Sequence, residues 1–309
     1  MTRRTALKLM GSAGAAAISG LIGLSSCKNI SNVEQTKTEK KSYSIKRIVF
    51  FFTGTGNCLY VAKNLSDNPI SIPQAMKKNE FNYEADEIGI VYPIYGQLPP
   101  NMVYEFLKKA KLSCNYLFAV ATYGNTKGGS VEIFDKMTKD INLQFNYIAT
   151  LLMVDNWLPK FDMNEQVKID KKVDENLAKI KADLETQKQY IEPVTEEEHQ
   201  KALAVAQRTS GPFRADHIEA KAEEWFTITD RCITCGLCMR VCPRANYKFD
   251  GEKATASGTC ELCLACVHAC PHKAIIITSG EANPNARYRH PSIKSSEIQR
   301  ANNQLNPKG

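Results

Sequence analysis

The sequence predicts a doubly wound, parallel α/β sheet followed by a small α+β domain built around cysteine. Three observations carry that reading. A continuous apolar run, Ile48 to Phe52, stops at Thr53-Gly54-Thr55-Gly56-Asn57-Cys58 and gives way to a helical pattern with Leu59, Ala62 and Leu65 on one side. Two further apolar runs, within residues 87–100 and 116–129, each end in a loop with a tyrosine and a glycine. The cysteine run CITCGLCMRVCP at 232–243 then returns as CELCLACVHACP at 260–271. Apolar runs without alternation suit strands buried on both faces, as parallel sheets require.

The chain has 309 residues, 43% of them hydrophobic, which suits two compact parts with real cores and excludes wholesale disorder. Its formal charge is +7, and setting aside Arg3, Arg4 and Lys8 of the leader leaves +4. A balance that mild, spread evenly, gives no basis for nucleic-acid binding.

The N-terminus reads as an address. Thr2-Arg3-Arg4-Thr5-Ala6-Leu7-Lys8 resembles a twin-arginine export signal, with Thr and Ala6 where Ser and Phe are usual. Leu9 to Leu24 is too rich in small and polar residues for a membrane span. Leu24-Ser25-Ser26-Cys27 resembles a bacterial lipobox, so residues 1–27 are expected to be a signal peptide and Cys27 a lipidated anchor to the membrane surface on the periplasmic side. An ordinary export signal or an uncleaved anchor is the alternative. The polar stretch 28–44 reads as a flexible tether.

Residues 45–160 are expected to form the α/β part. A strand, a Gly/Thr turn and a helix together present backbone N–H groups and a helix N-terminus to a phosphate. Leu59 stands where a dinucleotide fingerprint needs its third glycine, and no Gly-Lys-Ser/Thr ends the loop. What remains suits one terminal phosphomonoester, to whose oxygens Thr53, Thr55 and Asn57 can donate. Thr53-Gly54-Thr55-Gly56-Asn57 closely resembles the phosphate loop of flavodoxins, which implies FMN. Cys58 departs from that pattern, since Ser or Thr is usual there and a thiol is a poorer donor.

Ligands of doubly wound sheets bind beyond the carboxyl ends of the strands. Two loops lie there: Pro93-Ile94-Tyr95-Gly96, before a helix from about Asn101 to Ala110, and Thr122-Tyr123-Gly124, with Gly128-Gly129 after it. Tyr95 and Tyr123 could each cover a face of an isoalloxazine ring, or be ordinary loop aromatics. A further strand, Tyr147 to Val154, leads to Trp157, which either flanks the flavin or caps the sheet.

Residues 161–222 read as a helical connector without chemistry. Val173, Leu177, Ile180 and Leu184 form one stripe of a surface helix, and Thr195 with Glu198 makes a capping box for a second helix reaching about Arg208.

Residues 223–280 carry the most specific signal. Both runs follow C-x2-C-x2-C-x3-C-P, in which three sulfurs hold one cubane and the fourth serves the other. That rule assigns Cys232, Cys235, Cys238 and Cys270 to one [4Fe–4S] cluster, and Cys260, Cys263, Cys266 and Cys242 to a second. Zinc ribbons use paired C-x2-C, and a disulfide framework gives no reason for a fixed 28-residue repeat. Short strands are expected at Phe226 to Thr229 and Ile275 to Ile277. His268 and His272 read as surface residues and Cys114 as a small buried hydrophobe.

A flavodoxin-like part followed by a two-cluster ferredoxin resembles the EFR-type flavodoxin–ferredoxin fusion family. The resemblance spans roughly residues 45–290 and includes Ala286-Arg287-Tyr288-Arg289-His290-Pro291 of the C-terminal tail, 281–309. It implies FMN, two [4Fe–4S] clusters and electron transfer with a redox protein or small molecule as partner. No acid–base pair or nucleophile stands out, so the first expectation is an electron carrier. A reductase acting on a small molecule or quinone is the first rival, and an assembly or binding subunit with an empty flavodoxin-like part the second.

Overall fold

In the computed structural model, residues 41–208 and 220–305 are described. The expected export signal, Cys27 and residues 28–40 of the expected tether lie outside them. Among the described residues no helix is long and apolar enough to cross a membrane.

Six parallel strands form the main sheet: β1 (Arg47–Phe51), β2 (Ile70–Ser71), β4 (Glu87–Pro93), β6 (Tyr116–Tyr123), β7 (Tyr147–Leu152) and β8 (Tyr190–Ile191). Their order is β2-β1-β4-β6-β7-β8, while β3 (Asn82–Glu84) and β5 (Lys111–Ser113) pair in a small ribbon of their own. With that ribbon set aside, the order reverses once, between β1 and its two neighbours, which is the flavodoxin-like winding. Strands β1, β4 and β6 are buried almost end to end, as their unbroken apolar runs dictate.

Helices α1 (Asn57–Leu65), α2 (Ile72–Lys78), α3 (Asn101–Lys109), α4 (Ser130–Lys139), α5 (Met163–Gln166), α6 (Val173–Glu185) and α7 (Glu196–Arg208) accompany the sheet. Leu177, Ile180 and Leu184 of α6 are buried in its core. The capping box of α7 is formed on both sides: Thr195 N–H donates to Glu198 (2.9 Å) and Glu198 N–H to Thr195 Oγ1 (3.2 Å). The connector is more than helix, because it also supplies β8. That two-residue strand pairs with β7 at Tyr147 and Ile148, and its polar neighbours hid it from a reading by periodicity.

The second part holds β9 (Ala220–Lys221), α8 (Ala222–Trp225), β10 (Phe226–Ile228), α9 (Leu237–Val241), β11 (Tyr247–Phe249), β12 (Ala254–Ala256), β13 (Thr259–Cys260), α10 (Ala265–Ala269) and β14 (Ile275–Ile277). β10 and β14 pair antiparallel, as expected of a small ferredoxin-type domain. The two parts do not stand apart. Val241, Cys263 and Ala265 belong to the same buried cluster as the sheet residues, together with Ile293, Ile298 and Ala301. The last three come from the tail, which returns to the sheet and ends in α11 (Ser295–Asn302).

Gly89 at the middle of β4 faces Phe118 across the β4–β6 pair. A Cβ there would lie 2.2 Å from the Phe118 ring, inside a core with no slack. Gly89→Ala is therefore expected to lower stability by about 1–3 kcal/mol, read by chemical denaturation under anaerobic conditions.

Candidate functional site

The carboxyl ends of β1, β4, β6 and β7 open onto a cavity of about 600 Å³, a size suited to one cofactor-sized ligand. Thr53, Gly54, Thr55, Asn57 and Cys58 line one side. Pro93 to Gly96 and Thr122 to Gly124 line another. Trp157, Lys160, Phe161 and Trp225 complete the wall with Cys260, Glu261 and Leu262 from the second cysteine run.

The loop after β1 is built to meet an anion. Helix α1 starts from Gly56, at φ 103°, with no side-chain cap. Its first N–H groups are thus left for another acceptor. Thr53 Oγ1 accepts from Gly56 N–H (3.0 Å), and Thr55 Oγ1 accepts from the Asn156 amide (2.7 Å). Each hydroxyl keeps its own proton to donate. Asn57 differs from expectation, because its side chain is engaged at both ends. The amide nitrogen donates to Val154 O (3.1 Å), and the oxygen accepts from Tyr288 Oη (2.8 Å). It braces the loop more than it points at a ligand. The Cys58 sulfur is fully buried 3.1 Å from Thr122 Oγ1, and burial pushes its thiol up to about 12. It is a neutral packing group tying α1 to β6.

Three expected residues do not reach the cavity. Gly56 lies behind the loop, where a Cβ would meet His290 and Ile293 at 3.2 Å. Gly128 and Gly129 sit at the start of α4, where Gly129 N–H donates to Gln97 Oε1 (2.8 Å) and a Cβ would strike Ala202 of α7 at 2.4 Å. The smallness of Gly129 serves the packing of α7, and Gly128 lies against the Gln97 side chain.

The eight cysteines of the doubled run fall into two sets. Cys232, Cys235, Cys238 and Cys270 ring one small cavity, with Ile233 and Phe249 beside them. Cys242, Cys260, Cys263 and Cys266 ring another. All ten described cysteines are free thiols. Among the described residues no three His, Cys, Asp or Glu side chains converge at single-ion spacing. Four sulfurs spread around a cavity fit a cubane, whose irons occupy separate corners.

The two runs are local copies. Thr234, Gly236 and Ala245 have positive φ, and so do Leu262, Leu264 and Lys273, each 28 positions on. Asn246 N–H donates to the Cys242 sulfur (3.4 Å), and Ala274 N–H does the same to Cys270 (3.2 Å). Such N–H···S bonds are one means of setting cluster potential. Burial pushes the Cys238 and Cys260 thiols up to about 12, so without iron these sulfurs keep their protons. The Tyr247 hydroxyl is buried among Cys266, Cys242 and Cys260, with the Cys266 sulfur as its neighbour for a hydrogen bond.

Cys260 and Glu261 line both the second ring and the large cavity. Tyr95, whose phenol is held neutral by burial, lies near Cys263, Cys58 and Glu261 at that boundary. Glu261 is almost fully buried, and burial raises its carboxyl above the ordinary range against the pull of Arg244. Arg244 Nε donates to it at 2.6 Å, and the other guanidinium nitrogens bind Glu105 of α3 at 2.9 and 2.8 Å. Met102 N–H at the start of α3 also donates to Glu261 (3.1 Å).

His268 is no simple surface residue. Its Nε2 lies 2.9 Å from Asn156 O, and its Nδ1 accepts from Tyr288 N–H (3.0 Å). Accepting at Nδ1 places the ring proton on Nε2, which makes the ring neutral. Burial brings its pKa down to about 4. Cys114 is half-buried just past β5, with its thiol raised to about 11 by burial. Sequence reading missed Asn156, Trp225 and Glu261, of which only Glu261, an acid between two cysteines, carried a local signal, and it gave the tail residues Tyr288 and His290 no role.

The sequence profile of a 4Fe-4S dicluster domain family matches residues 224–271. No curated protein matches the chain. Among solved structures, a protein of Bacteroides eggerthii assigned as a flavoprotein is 18% identical, covering 42% of this chain and 98% of its own, with a TM-score of 0.28. A second assigned flavoprotein, from Bacteroides uniformis, is 15% identical over 37% of this chain and 94% of its own, with a TM-score of 0.27. An NADPH-quinone reductase of P. pentosaceus is 10% identical over 49% and 100%, with a TM-score of 0.29. The likeness to these three is loose, and the flavodoxin-like fold rests on the strand order itself. The chain thus joins a flavodoxin-like sheet to a ferredoxin-type 4Fe-4S domain.

Arg244→Met leaves Glu261 buried without its counter-ion and is expected to cost about 3 kcal/mol of stability. Glu105→Gln, at the more exposed end of the network, should cost at most about 1 kcal/mol. Anaerobic denaturant unfolding of the two variants measures the difference.

Proposed function

We propose that the chain is an exported electron-transfer protein holding two [4Fe–4S] clusters and one FMN. Cys232, Cys235, Cys238 and Cys270 would bind the first cluster, and Cys242, Cys260, Cys263 and Cys266 the second. The observation that carries this reading is that Cys260 belongs at once to the second sulfur ring and to the wall of the strand-end cavity. A flavin seated in that cavity would abut the second cluster with no element of the fold between them.

Bound in these places, the clusters supply one-electron steps and the flavin accepts or gives two. The residues supply position. Thr53, Thr55 and the uncapped start of α1 would hold the phosphate, while Tyr95 and Tyr123 stand at the loops that would flank the ring. Glu261, fixed by Arg244 and Met102 N–H, keeps the β13–α10 loop against α3. Joining donor and acceptor in one unit removes the wait for diffusive encounter.

The first ring faces outward: Cys235 is exposed, and Ile233 and Phe249 beside it are 55% and 43% exposed. That side would exchange electrons with a redox partner protein. Twin-arginine export would carry the folded, cofactor-loaded chain, and lipidated Cys27 would hold it at the membrane surface. A second reading, a reductase of a small molecule, is favoured by the wall of Trp157, Phe161, Trp225 and Lys160, which extends the cavity past the flavodoxin-like loops. Turnover of a quinone by the reduced protein separates it from a carrier.

Protein purified without air should contain about eight irons and about one FMN per chain. Absence of iron and sulfide would overturn the reading, and clusters without flavin would favour the empty-subunit alternative. Ligand assignment has its own check by electron paramagnetic resonance. Cys270→Ser and Cys238→Ser should perturb the same cluster signal, and Cys242→Ser should perturb the one affected by Cys263→Ser.

A further inference from the structure

The loop proposed to hold the flavin phosphate is braced by a side chain of the cysteine run. His268 belongs to α10, between Cys266 of the second ring and Cys270 of the first. Two hydrogen-bonded routes leave its ring. One passes from Nε2–H to Asn156 O (2.9 Å), and the Asn156 amide donates on to Thr55 Oγ1 (2.7 Å). The other passes from Nδ1 to Tyr288 N–H (3.0 Å), and the Tyr288 hydroxyl donates to Asn57 Oδ1 (2.8 Å). Thr55 and Asn57 are both residues of the turn after β1.

The tail completes the brace. His290 N–H donates to Thr55 O (2.9 Å), and its ring stacks on Tyr60 of α1 at 4.2 Å. Arg287 Nε donates to Val267 O (3.0 Å), beside His268. The turn is thus tied to α10 through both routes from His268. A helix of five residues does not form by itself, and α10 starts from Leu264 at positive φ and ends at Cys270. Ligation of Cys266 and Cys270 would tie down the sulfurs at both its ends.

We propose that His268 is a positioning residue that makes the affinity for the flavin phosphate depend on ligation of the clusters. The inference rests on the reading that the chain binds FMN and two clusters. Coupling of this kind is reciprocal: bound FMN strengthens cluster retention as loaded clusters strengthen FMN binding. Riboflavin, which has the same ring and no phosphate, is outside the coupling.

The test uses cluster-loaded protein stripped of flavin and titrated by quenching of flavin fluorescence. His268→Leu removes both routes and should weaken FMN about tenfold, by the worth of two hydrogen bonds, while riboflavin affinity stays the same. His268→Gln, whose amide can donate to Asn156 and accept from Tyr288, should restore most of the loss. Tyr288→Phe opens one route only and should weaken FMN about threefold; it serves if His268→Leu does not fold. In the reciprocal arm, FMN should slow loss of iron to a chelator in the wild type and not in His268→Leu. An FMN affinity unchanged in both His268→Leu and Tyr288→Phe, equal weakening of riboflavin, or equal protection of iron in both proteins overturns the proposal. A wild type that binds FMN and iron localises that failure to the brace; one that binds neither overturns the underlying reading as well.

Discussion

A Cβ at Gly54 would lie 2.4 Å from the carbonyl oxygen of Cys263, so the turn after β1 and the second cysteine loop meet backbone to backbone. The rest of the molecule is arranged around that approach. It needs a glycine on one side and a tightly turned loop on the other. It also needs flanking contacts strong enough to hold two polar loops together away from water. Arg244 supplies one of these, gripping Glu105 of the sheet part and Glu261 of the cysteine part with a single guanidinium. Asn302 supplies another, its amide donating to both Thr53 O (2.9 Å) and Val241 O (3.1 Å). A planar fork and a side-chain amide suit this task because each satisfies several buried acceptors at fixed angles.

The two sulfur rings are alike in local geometry and unlike in setting. Positive-φ residues and the N–H···S bonds to Cys242 and Cys270 recur at the same 28-residue offset, while the Cys260 sulfur takes a further bond from Leu262 N–H (3.3 Å). Solvent differs as well. Cys260, Cys263 and Cys266 are buried, whereas Cys235 is exposed. Burial disfavours added charge, and N–H donors favour it. A fold can therefore give two similar loops different potentials by packing one against a sheet and leaving the other at the surface.

The tail shows why the two parts behave as one. Residues after β14 run back past α10, touch the turn after β1 and end as α11 against α2 and α9. A tail that only filled space would contribute apolar contacts such as Ile293 and Ile298. This one also places Tyr288, His290 and Asn302 in hydrogen bonds to the turn, with sequence separations above 200 residues. Loosening the cysteine part would therefore remove support from a loop on the sheet without changing any residue of the sheet.

The sequence by itself determined the local pieces. Unbroken apolar runs marked the buried parallel strands, Thr195 and Glu198 marked a helix start, and the repeated cysteine spacing marked a ferredoxin-type domain. Each of these depends on residues a few positions apart, so each leaves a periodic or motif signature. Tertiary structure decided the rest. β8 is a strand only because β7 offers its edge, and Asn57 became a brace because Tyr288 arrives from the far end of the chain. Gly129 packs under α7 and Gly128 against Gln97, and His268, read locally as a surface side chain, became the junction between the cysteine helix and the turn. These roles arise from groups brought together across 40 to more than 200 residues, and no local pattern encodes which distant partner will fill a given donor or cover a given glycine.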